Sequence, residues 1–106
     1  MSDWMVVGPE SLLAEGEHMT LEVDGVEVAL FKTDGKLFAI EDVCSHDGAE
    51  IASGHIEAGT IICPRHGARF CLETGKALCA PAYTNVAAYQ VRILDGQIEV
   101  QTTPKP

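Results

Sequence analysis

Residues 18–42 read HMTLEVDGVEVALFKTDGKLFAIED. Met19, Leu21 and Val23 alternate with His18, Thr20 and Glu22, and Val26, Val28 and Leu30 follow at once after Asp24-Gly25. A period of two marks a half-buried strand, because neighbouring side chains point to opposite faces of a sheet. Asp24-Gly25 and Asp34-Gly35 stand where the runs break. Asp-Gly suits a two-residue hairpin, since both central positions need positive φ. The stretch therefore predicts strands over 17–23, 26–33 and 36–42.

The same signal recurs further out. Tyr89, Val91 and Ile93 alternate with Gln90 and Arg92, Asp95-Gly96 intervenes, and Ile98 and Val100 alternate with Gln97, Glu99 and Gln101. These runs predict strands over 88–94 and 97–102, with another near 4–7. Only Pro9 to Gly16 reads as a helical turn, so the chain is expected to be all-β. The segment 43–83 differs, with five glycines, two prolines and only short apolar runs such as Thr60-Ile61-Ile62. A turn-rich insertion of this length needs something to organise it. The 106 residues are one domain. Its expected division is a basal β part, about 1–42 and 84–106, and an inserted subdomain, about 43–83.

The net charge is −9 and the pI about 4.6. Phosphate would be repelled, which argues against nucleic acid as a partner. No run approaches the roughly 20 apolar residues of a membrane span. Met1-Ser2-Asp3-Trp4 shows neither the basic region nor the apolar stretch of a secretory signal. A cytoplasmic protein with no membrane contact is the expectation. In a reducing compartment, four cysteines near histidines are more often metal ligands than disulfides.

Two short segments of the insertion carry the chemistry: Cys44-Ser45-His46 and Cys63-Pro64-Arg65-His66-Gly67. As a pattern they read C-x-H, sixteen residues, C-x-x-H-G. Each pairs one thiolate with one imidazole. That set fits a two-iron cluster with one iron on two cysteines and the other on two histidines. Zinc also accepts two cysteines and two histidines, though finger spacing usually pairs like with like. Cys71 and Cys79 fall outside the pattern and read as small, at least partly buried, apolar residues. His18 and His55 read as surface residues, Arg65 and Arg69 as charges flanking His66, and Trp4 as a strand anchor.

These residues, with Ala68-Arg69-Phe70, Thr74-Gly75 and Ala80-Pro81-Ala82 behind them, resemble the Rieske-type ferredoxins, soluble electron carriers of bacterial multicomponent oxygenases. The resemblance implies an antiparallel β-sandwich with a small loop-rich cluster-binding subdomain at one end and one Rieske [2Fe–2S] cluster. By position, Cys44 and Cys63 would hold the inner iron, His46 and His66 the outer one, and Pro81 would lie in a covering loop. It implies a carrier rather than an enzyme, expected to be monomeric. The carrier would pass single electrons from a flavin-containing NAD(P)H reductase to a terminal oxygenase, such as an aromatic-ring hydroxylating dioxygenase, in transient encounters. The alternatives are a Rieske-like small subunit of a nitrite reductase and a structural zinc-binding interaction module.

Departures from the pattern bear on the potential. High-potential members join the ligand loops by a disulfide whose positions here are Ala49 and Arg65. Their serine and tyrosine hydroxyls, which bond cluster sulfur and a ligand thiolate, are matched here by Ala68 and Phe70. Hydrogen bonds to sulfur stabilise the reduced state. Their loss places the expected potential near the bottom of the Rieske range, roughly −150 mV.

Overall fold

The computed structural model describes residues 3–44, 50–64, 67–79 and 84–105. Within them the strands are β1 (Trp4–Pro9), β2 (His18–Val23), β3 (Val26–Thr33), β4 (Lys36–Glu41), β5 (His55–Glu57), β6 (Thr60–Ile62), β7 (Arg69–Cys71), β8 (Ala77–Cys79), β9 (Ala88–Tyr89), β10 (Val91–Leu94) and β11 (Gln97–Gln101). A single 3-10 turn, Glu10–Leu12, is the helical element among the described residues. Three antiparallel sheets result, ordered β1-β11-β10, β2-β3-β4-β9 and β5-β6-β7-β8.

The hairpins form where Asp-Gly places them. Asp24 and Gly25 have φ of 51° and 84°, Asp34 and Gly35 54° and 72°, and Asp95 and Gly96 52° and 75°. Such a pair of positive angles suits the right-handed twist of the flanking strands. A fourth turn of this kind, Ala58-Gly59 between β5 and β6, has φ of 50° and 78° without an aspartate to announce it.

Three expectations change, the first being that the strand expected over 88–94 is two, β9 beside β4 and β10 beside β11, because the chain crosses from one sheet to the other at Gln90. The segment 43–83 holds a complete four-stranded sheet, β5 to β8, where the sequence shows only turns and short apolar runs. Its strands have three residues each, too few to display an alternation. The third change concerns β3, which was expected to be half-buried. Val28, Ala29, Leu30 and Phe31 are all fully buried, because β3 lies in a sheet covered on both faces. Val28 and Leu30 join Val23, Ala39, Ile98 and Val100 in one core, against the β1-β11-β10 sheet. Ala29 and Phe31 join Ile40, Ile61, Phe70 and Leu72 in a second core, against the β5–β8 sheet. Three layers thus stack with β2-β3-β4-β9 in the middle. Each buried phenylalanine is worth about 3–5 kcal/mol against alanine.

Trp4 is half-buried on β1, with the Arg92 guanidinium 3.9 Å from its ring centroid. Arg92 is itself fixed by Glu99, at 2.8 Å through Nε and 2.7 Å through Nη2. His18 is exposed on β2, its ring 5.9 Å from that of Phe31.

Candidate metal centre

The second core also contains Cys44 and Cys63, each about 1% exposed. Cys44 lies three residues past the end of β4, and Cys63 directly follows β6. His46 and His66, the other two expected ligands, lie outside the described residues, as do Ala49, Arg65 and Pro81.

The Cys63 loop is closed by main chain. β6 pairs with β7 through Ile62 and Arg69, the N–H of Cys63 donates to the carbonyl of Ala68 at 2.7 Å, and the N–H of Gly67 donates to the carbonyl of Cys63 at 3.1 Å. Gly67 takes φ +76° there, a conformation that costs a residue with a Cβ about 1 kcal/mol.

The Cys44 loop is held differently. The Asp42 N–H donates to the carbonyl of Glu27 at 2.9 Å, which pins the end of β4 to the start of β3. The Asp42 Oδ1 accepts from the N–H groups of Ile51 and Ala52, both at 2.9 Å. A side chain therefore joins the two ends of this loop. The Asp42 Oδ2 is buried and has no hydrogen-bond partner among the described residues.

Two glycines let neighbouring segments close on the site. A Cβ on Gly54 would stand 2.1 Å from the carbonyl oxygen of Ile62, the residue before Cys63. The return of the Cys44 loop thus lies against the approach to the Cys63 loop. A Cβ on Gly75 would stand 2.0 Å from the carbonyl oxygen of Val86, which accepts no side chain at that distance. Val86 N–H donates to the Gly75 carbonyl, and Glu41 N–H donates to the Ala87 carbonyl, both at 2.8 Å. The Glu41 carboxylate also accepts from the Ala87 N–H at 3.2 Å. These bonds bring the 84–87 segment beside the base of the Cys44 loop. Thr74-Gly75 belonged to the sequence pattern, whereas Gly54 carried no signal beyond being a glycine.

The remaining candidates do not gather into a second site. Among the described residues, no group of three or more Cys, His, Asp or Glu side chains is placed to hold a metal ion. His55 is exposed and faces Glu57 at 3.8 Å. All four cysteines are unbridged. Cys71 is half-buried, as expected, but Cys79 is exposed, with its Sγ 3.9 Å from the Gly67 carbonyl. That corrects the expectation of burial for Cys79: its strand, β8, is the last of its sheet and leaves it uncovered. Burial pushes the Cys71 thiol up, but hydrogen bonds from Thr74 and the Glu73 backbone outweigh it and hold the thiol below its ordinary value.

Two soft donors walled in by apolar side chains fit an iron–sulfur cluster. A thiolate is costly in such surroundings unless a metal accepts its charge. Ala68 and Phe70, in the same core, are fully buried and bring no hydroxyl. The β layers and these two loops define a small cluster-binding β protein.

The comparisons with known proteins agree. The family model of the Rieske [2Fe-2S] domain matches residues 3–90. The chain belongs to this family, whose members bind one Rieske cluster. It is 38% identical over 90 residues to the ferredoxin component of the naphthalene 1,2-dioxygenase system of Pseudomonas putida, covering 85% of this chain and 86% of that one. Among solved structures it is similar to the ferredoxin of carbazole 1,9a-dioxygenase from Nocardioides aromaticivorans IC177. That match has a TM-score of 0.84 and 32% identity over 92% of this chain and 95% of that one. It is also similar to a putative NADH-dependent nitrite reductase small subunit from Mycobacterium tuberculosis, with a TM-score of 0.82 and 26% identity over 95% and 96% of the two chains. Among the described residues, no helix is long and apolar enough to cross a membrane.

Proposed function

We propose that Cys44, His46, Cys63 and His66 hold the cluster. In this reading the protein carries single electrons from a flavin-containing NAD(P)H reductase to the terminal oxygenase of an aromatic-ring hydroxylating dioxygenase system, without itself being an enzyme. The observation that carries this reading is the burial of Cys44 and Cys63 in one apolar core, each on its own loop. When bound, the cluster supplies a one-electron site. Cys44 and Cys63 would hold one iron in surroundings that exclude water. His46 and His66 would hold the other, and as neutral donors they would make it the easier of the two to reduce. The side chains of Ala68 and Phe70 have no hydroxyl to donate to sulfur, which would keep the potential low, roughly −150 mV, the floor of the Rieske range.

The relatives support the setting. The more similar ones are ferredoxin components of dioxygenase systems, and this chain spans nearly their whole length. The nitrite reductase small subunit shares the fold at lower identity. The acidic surface suits steering toward basic docking faces, followed by rapid release. A cytoplasmic, monomeric carrier accords with such encounters.

The test is low-temperature EPR after dithionite reduction, followed by protein-film voltammetry. A rhombic mixed-ligand [2Fe–2S] signal and a midpoint near −150 mV are expected. A midpoint above zero contradicts the account of Ala68 and Phe70. A zinc-containing protein silent to EPR removes electron transfer altogether. NADH-driven reduction of a terminal oxygenase through this protein, with a rate that falls as salt rises, is the expected functional result. A stable stoichiometric complex with a nitrite reductase large subunit would reassign it.

A further inference from the structure

Asp42 is about 8% exposed, one of two buried acidic residues among those described. Its Oδ1 takes two main-chain donors, and among the described residues its Oδ2 has none. A buried carboxylate is costly unless its partners repay it, so its place calls for an explanation. The explanation lies in what Oδ1 holds. Eight residues separate Asp42 from Ile51, and the first is followed directly by Cys44. Asp42 is anchored at its own N–H to Glu27, on the middle sheet. Ile51 and Ala52, on the far side of the loop, are buried in the core that holds Cys44 and Cys63. Gly54 N–H then donates to the Ile51 carbonyl at 2.8 Å, and Gly54 lies against Ile62. The order from the middle sheet to the second ligand loop is therefore Glu27, Asp42, Ile51–Ala52, Gly54, Ile62 and Cys63.

We propose that Asp42 is a positioning residue, the latch that closes the Cys44 loop and fixes it against the Cys63 loop. The proposal rests on the reading of Cys44 and Cys63 as ligands. A cluster held by two loops is released when either loop opens. Among the described residues, the Cys63 loop is closed by hairpin main-chain bonds. The two ends of the Cys44 loop are tied by one carboxylate oxygen that accepts from two N–H groups.

The test compares purified holoprotein of the wild type, Asp42→Ala and Asp42→Asn. The readouts are the rate of cluster bleaching under a chelator, followed by visible absorption, and hydrogen exchange in the peptide covering 50–54, followed by mass spectrometry. Alanine removes the acceptor, so both rates are expected to rise about tenfold, the effect of losing two hydrogen bonds of modest net strength. Asparagine keeps an oxygen for the same two donors and is expected to restore both rates to within about twofold of wild type. Unchanged exchange at 50–54 in Asp42→Ala overturns the latch. So does an Asp42→Asn protein that exchanges and bleaches as fast as a folded Asp42→Ala. If Asp42→Ala fails to fold, Asp42→Asn decides alone: wild-type rates uphold the latch and accelerated rates overturn it. A wild-type protein without any cluster signal overturns the ligand assignment instead, and exchange at 50–54 then judges the latch independently.

Discussion

The loops that carry Cys44 and Cys63 are closed by different means. The Cys63 loop is a hairpin turn, closed by main-chain bonds between Cys63, Gly67 and Ala68 and continuous with β6 and β7. The Cys44 loop leaves the middle sheet and returns to it through the carboxylate of Asp42. Closure by main chain tolerates most side-chain changes, because every residue but proline carries the needed groups. Closure by a side chain depends on an oxygen that reaches both N–H groups, as aspartate or asparagine supplies. The Cys44 loop is therefore the one whose closure a single side-chain substitution reaches without disturbing any strand.

The largest effect should treat the loops alike. Cys44→Ala and Cys63→Ala are each expected to abolish the reduced EPR signal, since each removes half the thiolate set; retention of the signal in either would remove that cysteine from the ligands. A smaller effect should come from the seam between the loops. Gly54→Ala forces a Cβ against the Ile62 carbonyl, and overpacking of this kind costs about 1–3 kcal/mol in denaturant unfolding. A cost within 0.5 kcal/mol, on the scale of ordinary surface substitutions, would mean the two loops move apart freely. The smallest effect belongs to the hairpin itself. Gly67→Ala meets nothing among the described residues and is expected to pay for its positive φ, about 1 kcal/mol. It should leave chelator bleaching close to wild type, in contrast to Asp42→Ala.

Much of the architecture was readable because hairpins write themselves locally. Asp24-Gly25, Asp34-Gly35 and Asp95-Gly96 need only two residues to state their turn, and the strands beside them emerged within a residue or two of their ends, except that the run 88–94 divides at Gln90 into β9 and β10, a change of sheet that local alternation does not mark. Ala58-Gly59 makes the same turn with no such marker, which is one reason the β5–β8 sheet was not legible. Strands of three residues are another. The continuous burial of Val28 to Phe31 was visible as an apolar run, but only the third sheet explains it. The cysteines could be picked out by spacing. Asp42 could not, because next to Glu41 it looks like one more surface acid, and its role depends on residues nine and ten positions away.

Phe31 and Leu30 are adjacent in sequence yet belong to different cores. The peptide bond between them is thus a party wall: what is built on one side leans on what is built on the other. A chain arranged this way should melt as one cooperative unit rather than shedding its redox end first. Holding or losing the cluster would then be felt in the thermal midpoint of the β1-β11-β10 sheet, on the opposite side of the wall. The small protein's electron site and its foundation share a single fate.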